Sequence, residues 1–192
     1  MAGLGTDAYG AATMTSARFT IMAAASLLAL SACSTVGPPP PPPPPHSGPV
    51  AEGAFQPQDF SWSAVPGKGQ IIGRLTFHAG PTRYGCAGAS VILTPETPWT
   101  RRRMTILYNS AIASALPVEE VRARTPTAPS GDYSAFVRRT TCDPDNGFNF
   151  QGLPNGAWYV ITVAKAVGHA GPDMAIMRRV EIRGGRPVTV EL

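Results

Sequence analysis

The three cysteines are the residues whose chemistry this sequence specifies most clearly. Cys33 directly follows the small residues Ser31 and Ala32, whereas Cys86 and Cys142 lie far downstream. In an oxidising compartment Cys86 and Cys142 can form one disulfide. Zinc binding is the alternative, but two isolated thiols without a CxxC pair or a neighbouring histidine make a poor zinc site. The sequence therefore predicts one disulfide, no metal and no cofactor.

Other reactive side chains show no catalytic pattern. None of the three histidines has HxxE or HExxH spacing, and no G-x-S-x-G segment marks a serine nucleophile; the histidines are His46, His78 and His169. Asp143 and Asp145 are typical calcium ligands, but Gly147 stands where a third ligand would be. Pro154 also replaces the bidentate glutamate that an EF-hand needs. A hairpin turn explains the two aspartates better, so we expect a protein that is not an enzyme.

The chain is also basic, with a formal net charge of +4. Arginines cluster at residues 101–103, 138–139 and 178–179. Arginine pairs bidentately with phosphate and carboxylate, so an anionic lipid or an acidic glycan is one partner class, and a solvated surface is the alternative. No nucleic-acid module or basic stripe interleaved with aromatics accompanies the charge, which predicts no nucleic-acid partner.

An export signal precedes Cys33. Arg18 is followed by an uncharged apolar run over residues 19–30, too short to cross a bilayer as a helix. The run ends in Leu30-Ser31-Ala32-Cys33, which resembles the lipobox of bacterial lipoproteins. The resemblance implies a signal peptide over residues 1–32, acylation of Cys33 with palmitate-type chains, and membrane attachment through that lipid. An ordinary signal peptide, or an apolar core helix with an incidental cysteine, is the alternative.

The residues after Cys33 predict a sorting signal and a spacer. Ser34 follows the cysteine, and lipoproteins retained at the inner membrane carry aspartate there, so we expect the outer membrane, with the protein facing the periplasm. Residues 33–66 read as a disordered linker, because residues 38–45 are eight consecutive prolines that extend as polyproline II. Three aromatic residues near its end, Phe55, Phe60 and Trp62, indicate that this end packs on the domain that follows.

Residues 67–192 predict an all-β domain, an antiparallel β-sandwich of about seven strands. Apolar residues alternate with polar ones in several short segments separated by turn residues. The sets that share a face are Ile71, Gly73, Leu75 and Phe77; Ala89, Val91 and Leu93; and Phe148 with Phe150. The stretch from Trp158 to Val163 is apolar on both faces, as a central strand would be.

One segment departs from this pattern and predicts a helical insertion at residues 100–131. Apolar residues at helical spacing predict an amphipathic helix over 101–116, with Thr100 as N-cap and Pro117 as its end. Packing on the sandwich is the expected use of its apolar stripe, and lying on a membrane surface is the alternative. Residues 117–131 are rich in proline and threonine and predict a surface loop.

Three segments together carry a family resemblance. They are Gly69-Gln70-Ile71-Ile72-Gly73, then residues 86–95, and above all residues 145–160 with the pattern D-N-G-F-N-F-Q-G-L-P-N-G-A-W-Y-V. They resemble the carboxypeptidase regulatory-like, transthyretin-like family, whose hairpin reads D-G-x-F-x-F-x-x-L-P-x-G-x-Y. The resemblance covers about residues 68–192 and implies a sandwich that serves as a non-catalytic accessory or binding module.

Two functions follow from these observations. The first is a membrane-tethered binding or structural module for an envelope protein or an anionic glycan. The second is a carbohydrate-binding module, which would need a row of exposed aromatics. The residues that could supply that row are Trp99, Tyr108 and Tyr133, although Tyr108 already fits the apolar stripe of the predicted helix.

Overall fold

The computed structural model describes residues 53–168 and 171–192. The predicted signal peptide, Cys33 and the proline run therefore lie outside the described residues, as do His46 and His169. Among the helices of the described part of the chain, none is long and apolar enough to cross a membrane.

Strands dominate the described part of the chain. They are β1 (Gly69–Arg74), β2 (His78–Ala79), β3 (Thr82–Gly85), β4 (Ser90–Pro95), β5 (Ala113–Pro117), β6 (Arg138–Thr141), β7 (Gly147–Leu153), β8 (Gly156–Ala166), β9 (Met174–Ile182) and β10 (Pro187–Glu191). The α-helices are α1 (Pro98–Tyr108) and α2 (Val118–Arg124), and short 3-10 turns cover Pro57–Ala64, Thr125–Thr127 and Ser134–Phe136. The predicted all-β class is confirmed. The strand number exceeds the predicted seven because β2, β3 and β6 are too short or too polar to show an alternating pattern, and because β5 lies in the segment that was predicted to be helical.

The strands form two sheets. In the smaller sheet β1 lies between β10, which it pairs in parallel, and β7, which it pairs antiparallel. The larger sheet is centred on β8, with β9 and then β5 on one side and β4 and then β6 on the other. Strand β3 pairs with β8 beyond the end of β4, and β2 pairs with β3. Strands β3 and β4 therefore pair with successive parts of the same edge of β8, and the chain between them forms a turn.

The larger sheet buries both of its faces, which produces two cores. Trp158 and Val160 of β8 face the smaller sheet and pack with residues such as Ile71 and Phe150. Tyr159, between them, faces the opposite side and packs beneath α1 with Met104. Because side chains alternate along a strand, a strand apolar at every position fits only between two layers. The prediction of a central strand over residues 158–163 is confirmed, and the fold has three layers.

The helical insertion is shorter than predicted. Helix α1 begins after Thr97, not at Thr100: the Thr97 side chain accepts from the Thr100 amide at 3.1 Å, and the Thr100 hydroxyl accepts from the Thr97 amide at 2.7 Å. The helix ends at Asn109, which adopts a left-handed conformation with φ of 55°. Met104, Leu107 and Tyr108 are buried as the apolar stripe predicted, so the stripe packs on the sandwich.

The second half of the predicted helix is a strand. The Ser110 hydroxyl accepts from the amides of Ile112 and Ala113, which turns the chain, and β5 then pairs with β9 from Ala113 onward. Pro117 therefore ends a strand and not a helix, and the predicted loop over residues 117–131 contains α2. Tertiary pairing with the edge of β9 outweighs the helical periodicity here.

The described end of the predicted linker belongs to the folded unit. Phe60 is fully buried, and Trp62 packs at 5.0 Å from the ring of Trp158. A Cβ on Gly156 would lie 2.4 Å from the Trp62 ring, so only glycine leaves room for this indole. The packing expected of Phe55, Phe60 and Trp62 is confirmed, and the packed segment begins upstream of residue 67, where the sequence placed the start of the domain.

Candidate functional site

Cys86 and Cys142 form the predicted disulfide, with 5.7 Å between their Cα atoms. Both cysteines are buried, and the bond joins the turn after β3 to the end of β6. Two backbone hydrogen bonds flank it: the Gly88 amide donates to the Cys142 carbonyl, and the Cys142 amide donates to the Ala89 carbonyl. We call residues 86–89 and 142–147 the disulfide corner.

The turn from Asp143 to Gly147 completes the disulfide corner. One oxygen of Asp143 accepts from the amides of Asp145 at 2.9 Å and Gly147 at 2.7 Å. Asn146 has φ of 62°, and its Oδ1 atom accepts from the amides of Cys86 at 2.7 Å and Ala87 at 3.2 Å. The carboxylate of Asp143 therefore serves a turn, as the hairpin interpretation predicted, and in residues 53–168 and 171–192 no cluster of acidic, cysteine or histidine side chains could hold a metal.

A cavity of about 490 Å³ lies beside the disulfide corner. Arg83 and Lys165 supply its charge, and both side chains are exposed. The amides of Cys86 and Ala87 are occupied by Asn146 and cannot bind a ligand. This cavity has positive charge but no aromatic side chain among its lining residues and few free donors of fixed direction.

A charged cluster connects α1 to the larger sheet. The side chain of Glu96 is only 8% exposed and pairs with Arg101 and with Arg179, each at 2.7 Å. The Tyr159 hydroxyl donates to the same carboxylate at 3.1 Å. Burial, followed by the Glu96 charge, raises the pKa of Tyr159, so this phenol stays neutral. These charged and polar groups bind one another, so the cluster stabilises the fold.

The arginine clusters of the sequence separate in the structure. Arg103 donates to the Pro129 carbonyl and lies over the rings of Trp99 and Tyr133, and Arg138 donates to the Ser63 carbonyl. Arg178 donates to the Glu191 carbonyl, and Arg101 and Arg179 bind Glu96 as described above. The side chain of Arg139, in contrast, makes no hydrogen bond or ion pair with any described residue; it is exposed and lines a cavity. The clusters are thus mostly internal braces rather than one anionic-ligand surface.

Trp99, Tyr108 and Tyr133 do not form the row of exposed aromatics that a carbohydrate-binding module would need. Trp99 is fully buried, and Tyr108 is buried beneath α1, where loss of solvent raises its pKa to about 12. Both residues belong to the interior because the helix that carries them packs on the larger sheet. Tyr133 alone among the three is half-buried and lines a cavity.

Tyr133 belongs to a loop that aromatic packing holds in place. We call residues 131–136 the Tyr133 loop. Its Tyr133 ring lies 4.9 Å from the Trp99 ring, and its Phe136 ring stacks on Phe60 at 4.8 Å. Gly131 lies so close to Phe55 that a Cβ there would be 2.7 Å from the ring. Two distant segments of the sequence therefore fix this loop: the residues before β1 and helix α1.

The cavity beside this loop, the Tyr133 cavity, measures about 230 Å³. Its lining residues are Ile92, Gly131, Asp132, Tyr133, Ser134, Val137 and Arg139. Ile92 of β4 lies opposite Arg139 of β6, so the two side chains share the face of the larger sheet that points away from the smaller sheet. One Asp132 oxygen accepts from the Ser134 amide at 3.0 Å and from its hydroxyl at 2.7 Å. These hydrogen bonds hold the pKa of Asp132 below its usual value and keep it ionised.

Sequence reasoning did not identify Asp132, Ser134 and Arg139 as neighbours. The spacing Asp-x-Ser is typical of a side chain that closes its own turn, and this was the available signal. Arg139 was noticed only as half of a charge pair. Two further residues considered in the sequence lie elsewhere: the His78 Nδ1 atom donates to the Thr76 carbonyl, and Cys33 lies outside the described residues.

Comparison with known proteins supports the fold. No family model matches the sequence, and no curated protein matches it. The solved structure of a candidate carbohydrate-binding protein from Pseudomonas aeruginosa is similar, with a TM-score of 0.52 and 22% identity over 72% of this chain and 96% of that one. A minor pilin of Streptococcus agalactiae is 17% identical with a TM-score of 0.32, over 68% of this chain and 44% of that one. The resemblance to the carboxypeptidase regulatory-like family stays a prediction, and the chain shares a β-rich fold with the Pseudomonas protein.

Proposed function

We propose that this chain is an exported lipoprotein that is anchored through a lipid on Cys33 and acts as a non-catalytic binding module of the cell envelope. The buried disulfide between Cys86 and Cys142 carries the proposal. Disulfides form and persist in oxidising compartments such as the periplasm, and they are rare in the cytosol. The lipobox-like sequence before Cys33 would deliver the domain to that compartment, at the outer membrane and facing the periplasm.

The polar groups of the described residues support binding rather than catalysis. The paired charges at Glu96 stabilise the junction of α1 with the larger sheet, and Asp143 closes a turn. The Tyr133 cavity differs, because Asp132 and Arg139 line it without bonding to each other. An open cavity lined by a held carboxylate, a guanidinium free of partners among the described residues and one aromatic ring suits noncovalent capture of a ligand.

A carbohydrate ligand is the second candidate function, beside an envelope protein partner. Tyr133 favours it, since a half-buried ring with neighbouring carboxylate and guanidinium groups can contact both the apolar and the hydroxyl-bearing parts of a sugar. The Pseudomonas structure of similar fold is described as that of a candidate carbohydrate-binding protein, which agrees with this choice.

The first experiment is to compare the full chain with the variant Cys33→Ser. Intact mass should show the acyl chains on the wild type alone, and membrane fractionation should find the wild type in the membrane and the variant in the periplasmic fraction. Non-reducing and reducing gels of both samples should show the same intramolecular disulfide. The variant Ser34→Ala is the matched control, because it changes the neighbouring residue and leaves the thiol in place. If wild type and Cys33→Ser carry equal mass increments and fractionate alike, lipid anchoring is excluded.

A further inference from the structure

We propose that the Tyr133 cavity binds a carboxylate-bearing sugar residue, a hexuronic acid unit of an anionic glycan. This inference rests on the proposed binding function and names the ligand of that site. It depends on three features of the cavity: two opposite charges that do not pair, an aromatic wall held from behind, and an opening at a sheet edge.

The two charges face the cavity from different elements. Asp132 belongs to the Tyr133 loop and Arg139 to β6, and no ion pair links them although both line the same 230 Å³. Arg139 has no partner among the described residues, so its guanidinium is available for a bidentate contact with a carboxylate. Opposite charges left apart around one cavity match a ligand that carries both a carboxylate and hydrogen-bond donors.

Asp132 supplies the acceptor for those donors. Its Oδ1 atom is held by the amide and hydroxyl of Ser134, which fixes the orientation of the carboxylate. Its second oxygen has no partner among the described residues. A fixed and ionised carboxylate oxygen accepts hydrogen bonds from sugar hydroxyls, and these are stronger than bonds to neutral acceptors.

Tyr133 supplies an apolar surface of fixed position. Trp99 packs against the ring, and the Arg103 guanidinium lies 5.9 Å from its centroid. Ile92 and Val137 extend the apolar wall. Because the ring is already immobilised in the free protein, a pyranose that packs its C–H face on it loses little additional side-chain entropy of the protein. The apolar wall formed by these three side chains suits contact with a single ring.

The place of the cavity allows a polymer to pass. Strand β6 forms an edge of the larger sheet, so the cavity is bordered by the last strand and not enclosed by further elements of the described chain. One sugar unit can occupy the cavity while its glycosidic neighbours continue outside. This arrangement favours a glycan over a small zwitterion, which would also satisfy the two charges.

Two other cavities give weaker evidence for a ligand site. The cavity at the disulfide corner has two exposed cations, no aromatic lining residue, and two amides already occupied by Asn146. A cavity of about 290 Å³ between the edges of β5 and β10 is largely apolar, and nothing in the structure identifies what would cover it.

Calorimetric titration of the full chain in detergent tests the proposal. The probes are trisaccharides of galacturonate, glucuronate and mannuronate, each beside its carboxyl-reduced neutral counterpart. The variants are Arg139→Gln and Asp132→Asn, and the matched control is Arg186→Gln, which removes the same charge from an exposed arginine in the turn between β9 and β10. Thermal unfolding of each variant verifies that its fold is retained.

The expected result is that at least one uronate trisaccharide binds the wild type more tightly than its neutral counterpart, and that Arg139→Gln weakens it by about tenfold or more, as loss of a charge-assisted contact does. In Arg139→Gln the acidic and neutral sugars should bind equally, because the carboxylate has lost its partner. Asp132→Asn should weaken both sugars by a similar factor, and Arg186→Gln should change neither.

Three results would overturn the proposal. If Arg139→Gln and Arg186→Gln behave alike while a trisaccharide still binds, the binding function stands and the site lies elsewhere. If no trisaccharide binds the wild type, the uronate ligand is excluded, and the lipid-anchoring experiment still decides whether the chain is an envelope lipoprotein. Binding of free amino acids with the same Arg139 dependence, in the absence of sugar binding, would assign the cavity to a zwitterion instead.

Discussion

The disulfide corner and the Tyr133 loop are both rigid surface features, but they are held by different forces. A covalent bond and side-chain acceptors on backbone amides hold the disulfide corner. Aromatic packing against two separate segments, the residues before β1 and helix α1, holds the Tyr133 loop. The first type of support depends on oxidation and the second does not, so the candidate ligand site should keep its shape when the disulfide is reduced.

The largest expected effect comes from removing the centre of the aromatic support. Phe60→Ala should lower the free energy of unfolding by about 3–5 kcal/mol, because it leaves a cavity where a fully buried ring stacked on Phe136. Chemical denaturation measures the loss, and hydrogen exchange of residues 131–136 should accelerate more than that of residues 86–89. Val65→Ala is the control, since Val65 is 57% exposed and its truncation should cost little. Equal acceleration in both loops would contradict separate support.

Removing the disulfide is the reciprocal change. The double variant Cys86→Ser, Cys142→Ser should lower the free energy of unfolding by about 2–4 kcal/mol, the usual value for a cross-link that closes a long loop. Local exchange should accelerate at the disulfide corner and not in the Tyr133 loop. Reduced wild type is the matched comparison and should behave as the double variant does. Loosening of the Tyr133 loop by reduction would show that the two regions are coupled.

Variants of Asn146 distinguish the stability that hydrogen bonds give the disulfide corner from the stability that the disulfide gives it. Asn146→Ala should cost about 1–3 kcal/mol, because it leaves the amides of Cys86 and Ala87 without their acceptor and because alanine adopts the left-handed φ of 62° less readily than asparagine. Asn146→Gly restores the backbone freedom only, and Asn146→Asp restores the acceptor. Denaturation of the three variants should place alanine as the least stable. If glycine rescues completely, the hydrogen bonds contribute nothing.

The smallest effect concerns the charge state of Asp132. Ser134→Ala removes one of the two hydrogen bonds to the Asp132 carboxylate, so the pKa of Asp132 should rise toward its ordinary value. A lowered pKa in the folded state stabilises the fold above the unfolded pKa, and this contribution disappears as the pH falls through the folded pKa. Carboxyl NMR titration measures the change, with Ser130→Ala as control. An unchanged Asp132 pKa in Ser134→Ala would assign the shift to the backbone amide alone.

The two regions also differ in how far the sequence predicted them. The disulfide corner could be predicted because cysteines in an exported protein indicate a disulfide and Asn-Gly indicates a tight turn. The Tyr133 loop depends on Phe55, Phe60 and Trp99, which lie in segments that no local pattern connects. Periodicity predicts which residues of a strand share a face, but it cannot tell which distant aromatic rings will meet.

The error at residues 109–117 has a similar physical origin. Apolar spacing at Ala111, Ile112 and Ala115 fits a helix as well as it fits an edge strand with small residues. What decides between them is the free edge of β9 and the left-handed Asn109, and both are features of the assembled fold. Ile112, predicted to lie on the apolar stripe, is instead 61% exposed.

The pairing of β1 with β10 places a demand on how this chain folds. Strand β1 is made first, yet its neighbours β7 and β10 follow much later, and Gln70 finds Pro187 as its partner. Pairing between such distant residues slows folding, and an unpaired strand with one apolar face invites wrong association in the meantime. A chain that emerges N-terminus first would therefore hold β1 without a partner until β7 arrives, and with one edge unpaired until β10 arrives, which makes β1 a segment that a chaperone would protect.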